Sequence, residues 1–147
     1  MGSPSSKVIS GQFNADIDGG LNILIVEDDQ VTANAYAQLL LNAGYQVNVA
    51  RTGLEAVARV ELSPPDAVLL DIMLPELDGI EVLRRIRMQA PKLPVVVCTS
   101  ALSPILMTLA LMGGATRVFD KSVAMPIDIL HEFDAVLGQL PKKHLAA

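Results

Sequence analysis

Residues 67–79 read AVLLDIMLPELDG. Four apolar residues, Ala67 to Leu70, run directly into the carboxylate of Asp71, and Pro75 and Gly79 follow at short distances. An apolar run without polar alternation fits a short strand covered on both faces. A carboxylate at the end of such a strand is costly to desolvate unless a partner or a function compensates. The same grammar recurs along the chain. Strand candidates are Asn22–Val26, Gln46–Ala50, Ala67–Leu70, Val95–Thr99 and Arg117–Phe119. Helical stretches lie after them at Val31–Ala43, Gly53–Leu62, Ile80–Met88, Pro104–Met112 and Ile127–Leu140. Gly44 stands where a helix C-cap is expected, and Ser103-Pro104 reads as an N-cap followed by a first-turn proline. Alternating β and α units predict an α/β fold: an open, mostly parallel sheet with helices on both faces. Five units are too few for an eight-stranded barrel.

Composition narrows the functional classes. The 147 residues suit one domain with a real core. A net charge of −5 argues against direct nucleic-acid binding, which needs a basic surface. The single cysteine, Cys98, excludes an internal disulfide framework and sits in an apolar run as a small core residue. A reducing cytoplasm is the simplest setting for it. Residues 93–116 carry no charge, yet Pro94, Pro104, Thr99, Ser100 and Gly113-Gly114 interrupt them, so a buried strand, a loop and an apolar helix are expected rather than a membrane span. Residues 1–20 lack periodicity and read as a tail outside the fold. Met1-Gly2 with Ser6 matches a short myristoylation pattern that chance often produces. Residues 21–140 are expected to form the domain and 141–147 a C-terminal tail.

In open α/β sheets the working site lies at the carboxyl ends of the strands. The first strand ends in Glu27-Asp28-Asp29, the third in Asp71, the fourth in Thr99-Ser100, and Asp120-Lys121 follows the fifth. Singly, each has a plain explanation: Asp29 as a helix cap, Thr99 bonded to a backbone carbonyl, Lys121 solvated. Together they place an acidic cluster, a hydroxyl and a lysine at one sheet edge. Clustered carboxylates repel one another, and Mg²⁺ resolves the repulsion while keeping sites for water and phosphate oxygens. Asp71 can then act as a nucleophile toward phosphorus, giving an acyl phosphate. The Lys121 ammonium and the Thr99 hydroxyl are suited to the phosphoryl oxygens.

From Leu21 to about Leu140 the chain resembles the receiver domain of bacterial two-component response regulators. The resemblance rests on ILIVEDD (23–29), DIMLPELDG (71–79), PVVVCTSA (94–101), GGA (113–115) and Lys121, in order and spacing. It implies a flavodoxin-like (βα)5 fold, a doubly wound five-stranded parallel sheet with helices on both faces. It further implies that a histidine kinase or histidine phosphotransfer protein donates a phosphoryl group to Asp71 in a Mg²⁺-dependent reaction. By position, Asp28 and Asp71 correspond to direct metal ligands, Met73 offers its backbone carbonyl, and Glu27 acts through a metal-bound water. Thr99 corresponds to the switch hydroxyl and Lys121 to the phosphate-binding lysine, while Pro75 and Gly79 shape the loop. The family's output and dimerisation face is its fourth helix, fifth strand and fifth helix.

Two departures concern how a signal leaves the site. Ser122 follows Lys121 where the family usually has proline, often with a cis bond. A cis bond before a non-proline residue costs roughly 2.5–4 kcal/mol, so a different loop is expected. Val118 stands where an aromatic is usual, and Phe119 cannot replace it because successive strand side chains point to opposite faces. The fourth helix has two readings. Its apolar residues, among them Leu102, Ile105, Leu106, Met107, Leu109 and Met112, belong either to a deeply packed helix or to a contact patch. Self-association through this helix is the favoured expectation.

Other motifs carry less. His131-Glu132 begins an HExxH pattern, but Ala135 occupies the second histidine's place. These residues are expected on the exposed side of the last helix, with Leu130, Phe133, Leu137 and Leu140 as its buried stripe. Arg84, Arg85 and Arg87 are expected to be solvated, with kinase docking the lesser option. No nucleotide-binding glycine motif is present. The alternative function is a receiver-like interaction module that is not phosphorylated. A haloacid-dehalogenase-like phosphatase ranks lower still, because Met73 occupies the place of its second aspartate.

Overall fold

A computed structural model of the chain describes residues 20–100 and 103–139. One parallel sheet contains β1 (Asn22–Val26), β2 (Gln46–Ala50), β3 (Ala67–Leu70), β4 (Val95–Thr99) and β5 (Arg117–Asp120). Its strand order is β2-β1-β3-β4-β5. The helices α1 (Gln30–Asn42), α2 (Gly53–Leu62), α3 (Gly79–Gln89), α4 (Pro104–Met112) and α5 (Pro126–Val136) follow the strands in turn. The chain runs from β1 outward to β2 and then returns to the other side of β1 for β3. That reversal opens a crevice at the carboxyl ends of β1 and β3, where neighbouring connections leave in opposite directions. Among the described residues, no helix is long and apolar enough to cross a membrane.

The strands lack polar alternation because both faces are buried. Leu24, Val26, Val68, Leu70, Val95 and Val97 enter one core with residues of α2 and α3. Ile23, Ile25, Leu69, Val96 and Cys98 enter the other, with residues of α1 and α5. Alternate residues of each strand thus serve opposite layers. Val118 joins the first core and Phe119 packs against the second, the opposition expected from the strand period.

Side-chain caps fix where the helices begin. Asp29, Thr52, Asp78 and Ser103 accept backbone N–H bonds in the first turns of α1 to α4. Asp29 is therefore spent on α1, accepting from the Thr32 N–H at 2.9 Å and its hydroxyl at 2.6 Å. Gly44, with φ of 101°, follows the Ala43 cap of α1 in the left-handed region that glycine tolerates.

Several expectations need correction. Arg87 is not solvated: its Nε donates to the Gly114 carbonyl at 2.9 Å and its Nη1 to the Ala90 carbonyl at 2.9 Å, tying α3 to the α4–β5 turn. Arg84 and Arg85 instead pair with Glu81 at the surface. The last helix stops at Val136, short of Leu140, which lies outside the described residues. Its buried stripe includes Ile129, Leu130 and Phe133, and Asp134 as well. Asp134 accepts a 2.6 Å bond from the Tyr45 hydroxyl, which pins α5 to the start of β2. The deeply packed reading of α4 fails, since Ala110 is its one buried residue while Ile105, Met107, Leu109, Leu111 and Met112 are exposed. Leu102 lies outside the described residues, as do the tails 1–19 and 140–147.

Gly79, the first residue of α3, holds the crevice loop against the helix. A Cβ built there would come within 2.1 Å of the Ile72 Cα, a backbone atom that cannot swing away. Gly79→Ala should therefore cost about 1–3 kcal/mol or more through overpacking, seen as a lower urea midpoint with an unchanged m value.

Candidate functional site

Each strand that borders the crevice ends by exchanging apolar residues for polar ones. β1 delivers Glu27 and Asp28, β3 delivers Asp71, β4 ends in Thr99, and Lys121 follows β5. The structure brings Glu27, Asp71 and Lys121 into one ion-paired cluster. The Lys121 Nζ donates to Glu27 Oε1 at 2.8 Å and to Asp71 Oδ2 at 3.1 Å. Both carboxylates are nearly buried, Glu27 at 5% exposure and Asp71 at 7%. The other oxygen of each carboxylate accepts a backbone N–H. Asp71 Oδ1 takes that of Met73 at 3.0 Å, and Glu27 Oε2 that of Asp29 at 3.2 Å.

The electrostatics follow from burial and proximity. Burial is the largest influence on Glu27 and raises its pKa, the Asp71 charge adds to the rise, and the bond to Lys121 opposes both. Burial would lower the Lys121 pKa, but its bond to Glu27 and the charges of Asp71 and Glu27 outweigh it, so the ammonium is held more firmly than usual. Asp28 is exposed, yet one oxygen from each of Glu27, Asp28 and Asp71 lies within 4.8 Å of the others. Three carboxylates against one ammonium leave the cluster two negative charges in excess. An all-oxygen donor set of three carboxylates, with that net excess of negative charge, fits a hard divalent cation and disfavours softer metals. The residues present thus suit the metal implied by the resemblance.

The other predicted residues are placed as follows. Thr99 is buried at the end of β4, and its carbonyl accepts the Lys121 N–H at 2.9 Å. Met73 lies in the loop that leaves β3, two residues after Asp71, and its side chain is half exposed. The loop after Lys121 does take its own course. Among the described residues there is no cis peptide bond, and Asp120 Oδ1 accepts both the Ser122 N–H at 2.9 Å and its hydroxyl at 2.6 Å. Sequence reasoning missed this turn, although Asp two residues before Ser is a recognisable Asx-turn pattern. His131 is exposed on α5 and Glu132 pairs with Arg117 at 2.8 Å, far from any role as a zinc motif.

Comparison with known proteins agrees with this geometry. A model of the response regulator receiver domain matches residues 23–132. Response regulator MprA from Mycobacterium sp. (strain KMS) is 36% identical over 105 residues, covering 71% of this chain and 46% of that protein. The MprA protein of Mycobacterium avium (strain 104) is 35% identical over the same length. The chain spans about half the length of the curated relatives it matches. Among solved structures, a CheY-like receiver domain protein from Methanospirillum hungatei JF-1 superposes with a TM-score of 0.78 at 28% identity, covering 86% of this chain and 99% of the other. Vibrio cholerae chemotaxis protein CheY4 gives 0.74 at 27% identity, with 80% and 99% covered.

The charge excess predicts opposite responses in two variants. Asp28→Asn removes a carboxylate and should weaken the binding of a divalent cation, read with added Mg²⁺, on the order of tenfold or more. Lys121→Met frees Glu27 and Asp71 from their ammonium and should strengthen it, while lowering stability in the absence of metal by about 1–3 kcal/mol. Isothermal titration and urea unfolding check both.

Proposed function

The chain belongs to the response regulator receiver domain family, and from that membership we propose that Asp71 is its phosphoacceptor. The observation that carries the assignment is the bridge from the Lys121 ammonium to the buried carboxylates of Asp71 and Glu27 at the carboxyl end of the sheet. An Asp71 carboxylate oxygen bonds to phosphorus as the donor's P–N bond breaks, and that bond's electron pair leaves with the donor's imidazole. The donor is a histidine kinase or histidine phosphotransfer protein, and the setting is the cytoplasm. Lys121 neutralises charge on the transferred group, and the Thr99 hydroxyl bonds a phosphoryl oxygen as the switch. Mg²⁺ would be the cation, held by Asp28, Asp71 and the Met73 carbonyl, with Glu27 acting through water. When bound it supplies further charge neutralisation for the carboxylates and the phosphoryl oxygens. We take residues 21–140 as the receiver domain.

Two features support a particular output. The exposed apolar α4, beside β5 and α5, is a surface for self-association. Met73, half exposed two residues after Asp71, carries a thioether, which cannot orient a water for attack, so the aspartyl phosphate should persist.

Incubation with Mg²⁺ and acetyl phosphate, followed by intact mass, tests the central assignment. One added phosphoryl group is expected in the wild type and none in Asp71→Asn. The label should remain well after the donor is removed, whereas its loss within seconds would contradict the role given to Met73. No uptake by the wild type would shift the reading to an interaction module that is not phosphorylated. Analytical ultracentrifugation with and without beryllofluoride should show a dimer that Ile105→Glu abolishes. A monomer at high concentration in both states would exclude self-association.

A further inference from the structure

A lysine that must hold two carboxylates across the mouth of a sheet needs a rigid origin. Its side chain has four rotatable bonds, so an error in the backbone at its base is multiplied at Nζ. Lys121 is the first residue beyond β5, and its base is tied on both sides. Its own N–H reaches the Thr99 carbonyl at 2.9 Å. On the other side everything converges on Asp120. The Asp120 carbonyl accepts the N–H groups of Val123 at 3.0 Å and Ala124 at 2.8 Å, and its carboxylate accepts both donors of Ser122.

The Asp120 carboxylate has no second task in sight. Among the described residues it is not one of the clustered acids that could hold a cation, which are Glu27, Asp28 and Asp71. Its bonds to the Ser122 hydroxyl and N–H keep its pKa low, so the acceptor is ionised at neutral pH. Ser122 supplies the N–H and hydroxyl that a proline at this position could not.

Resting on the phosphoacceptor reading above, we propose that Asp120 and Ser122 are positioning residues that aim the Lys121 ammonium at the phosphorylation site. The carboxylate acts as a local brace, closing an Asx turn that sets the direction in which the lysine leaves β5. The turn does the work of fixing the loop by hydrogen bonds, where a ring would do it by covalent restraint.

A cycle of variants tests this. Asp120→Ala and Asp120→Asn both remove the charge, but only the amide retains an oxygen to accept the Ser122 bonds. The rate of phosphorylation by acetyl phosphate should fall roughly ten- to hundredfold in Asp120→Ala and stay within about threefold of wild type in Asp120→Asn. In a Lys121→Met background Asp120→Ala should have no further effect, because nothing is left to aim. Equal rates in the two Asp120 variants, or an additive loss in the Lys121→Met background, would overturn the proposal. Mg²⁺ affinity of the same proteins gives a reading that needs no phosphorylation. Asp120→Ala should bind Mg²⁺ more tightly than Asp120→Asn while Lys121 is present, and equally once it is replaced. If the wild type takes up no phosphoryl group, the phosphoacceptor reading falls. The Mg²⁺ comparison then decides the brace separately, and identical affinities with Lys121 present would refute it.

Discussion

The bridge from the Lys121 Nζ to Glu27 and Asp71 is the interaction around which this structure is arranged. Two carboxylates close together in a mostly desolvated crevice repel one another and lose their hydration. Without a counter-charge their mutual repulsion would weaken the fold. The ammonium spans strands that are far apart in sequence and lie on either side of the sheet's centre. It therefore requires these strands to end where Nζ can reach both carboxylates. In the parallel register Val26 lies beside Leu70 and Leu70 beside Val97, and β4 and β5, paired at Thr99 and Asp120, run two residues beyond that level. The compensation is incomplete, because the three acids still exceed the one base. That imbalance is what leaves room for a cation.

The layers on either side make the bridge possible by excluding water from below it. Each central strand divides its residues between two cores, so the strand ends are the first places where polar side chains find solvent. The Gly79–Ile72 contact and the Asp78 cap bring α3 tightly against the loop that leaves β3. The Tyr45–Asp134 bond anchors α5 on the opposite face. These contacts lie outside the crevice, yet they determine how rigidly its rim is held.

α4 is the exception to this close packing. It has one buried residue, Ala110, with Leu106 partly buried against the same core, and Arg87 grips the turn that follows it. A helix with so little buried surface is held by few contacts, and such elements lie at the low end of local stability. Val118 beneath it is smaller than an aromatic ring and points into the α3 side of the core, while Phe119 packs on the α5 side under the Arg117 guanidinium. Movement of α4 would thus meet a different neighbour from the aromatic usual in the family.

Much was legible in the sequence because it is local. The apolar runs set the strands and the doubly covered sheet. Asp29, Ser103 and Gly44 marked helix ends through hydrogen bonds within a few residues. The polar residues that follow β1, β3, β4 and β5 named the crevice before any contact was known. What only the tertiary structure decided depends on pairs distant in the chain. Arg87 has the same charge as Arg84 and Arg85 but finds carbonyls instead of water, because the α4–β5 turn passes beside it. Asp134 is a carboxylate buried in the last helix, and the hydroxyl of Tyr45, distant in the chain, makes that burial tolerable. The residues of α4 could equally have filled a core, and their exposure follows from the position of the helix at the sheet's edge. Periodicity and capping are written in the order of residues; which charge meets which carbonyl depends on how the chain returns upon itself.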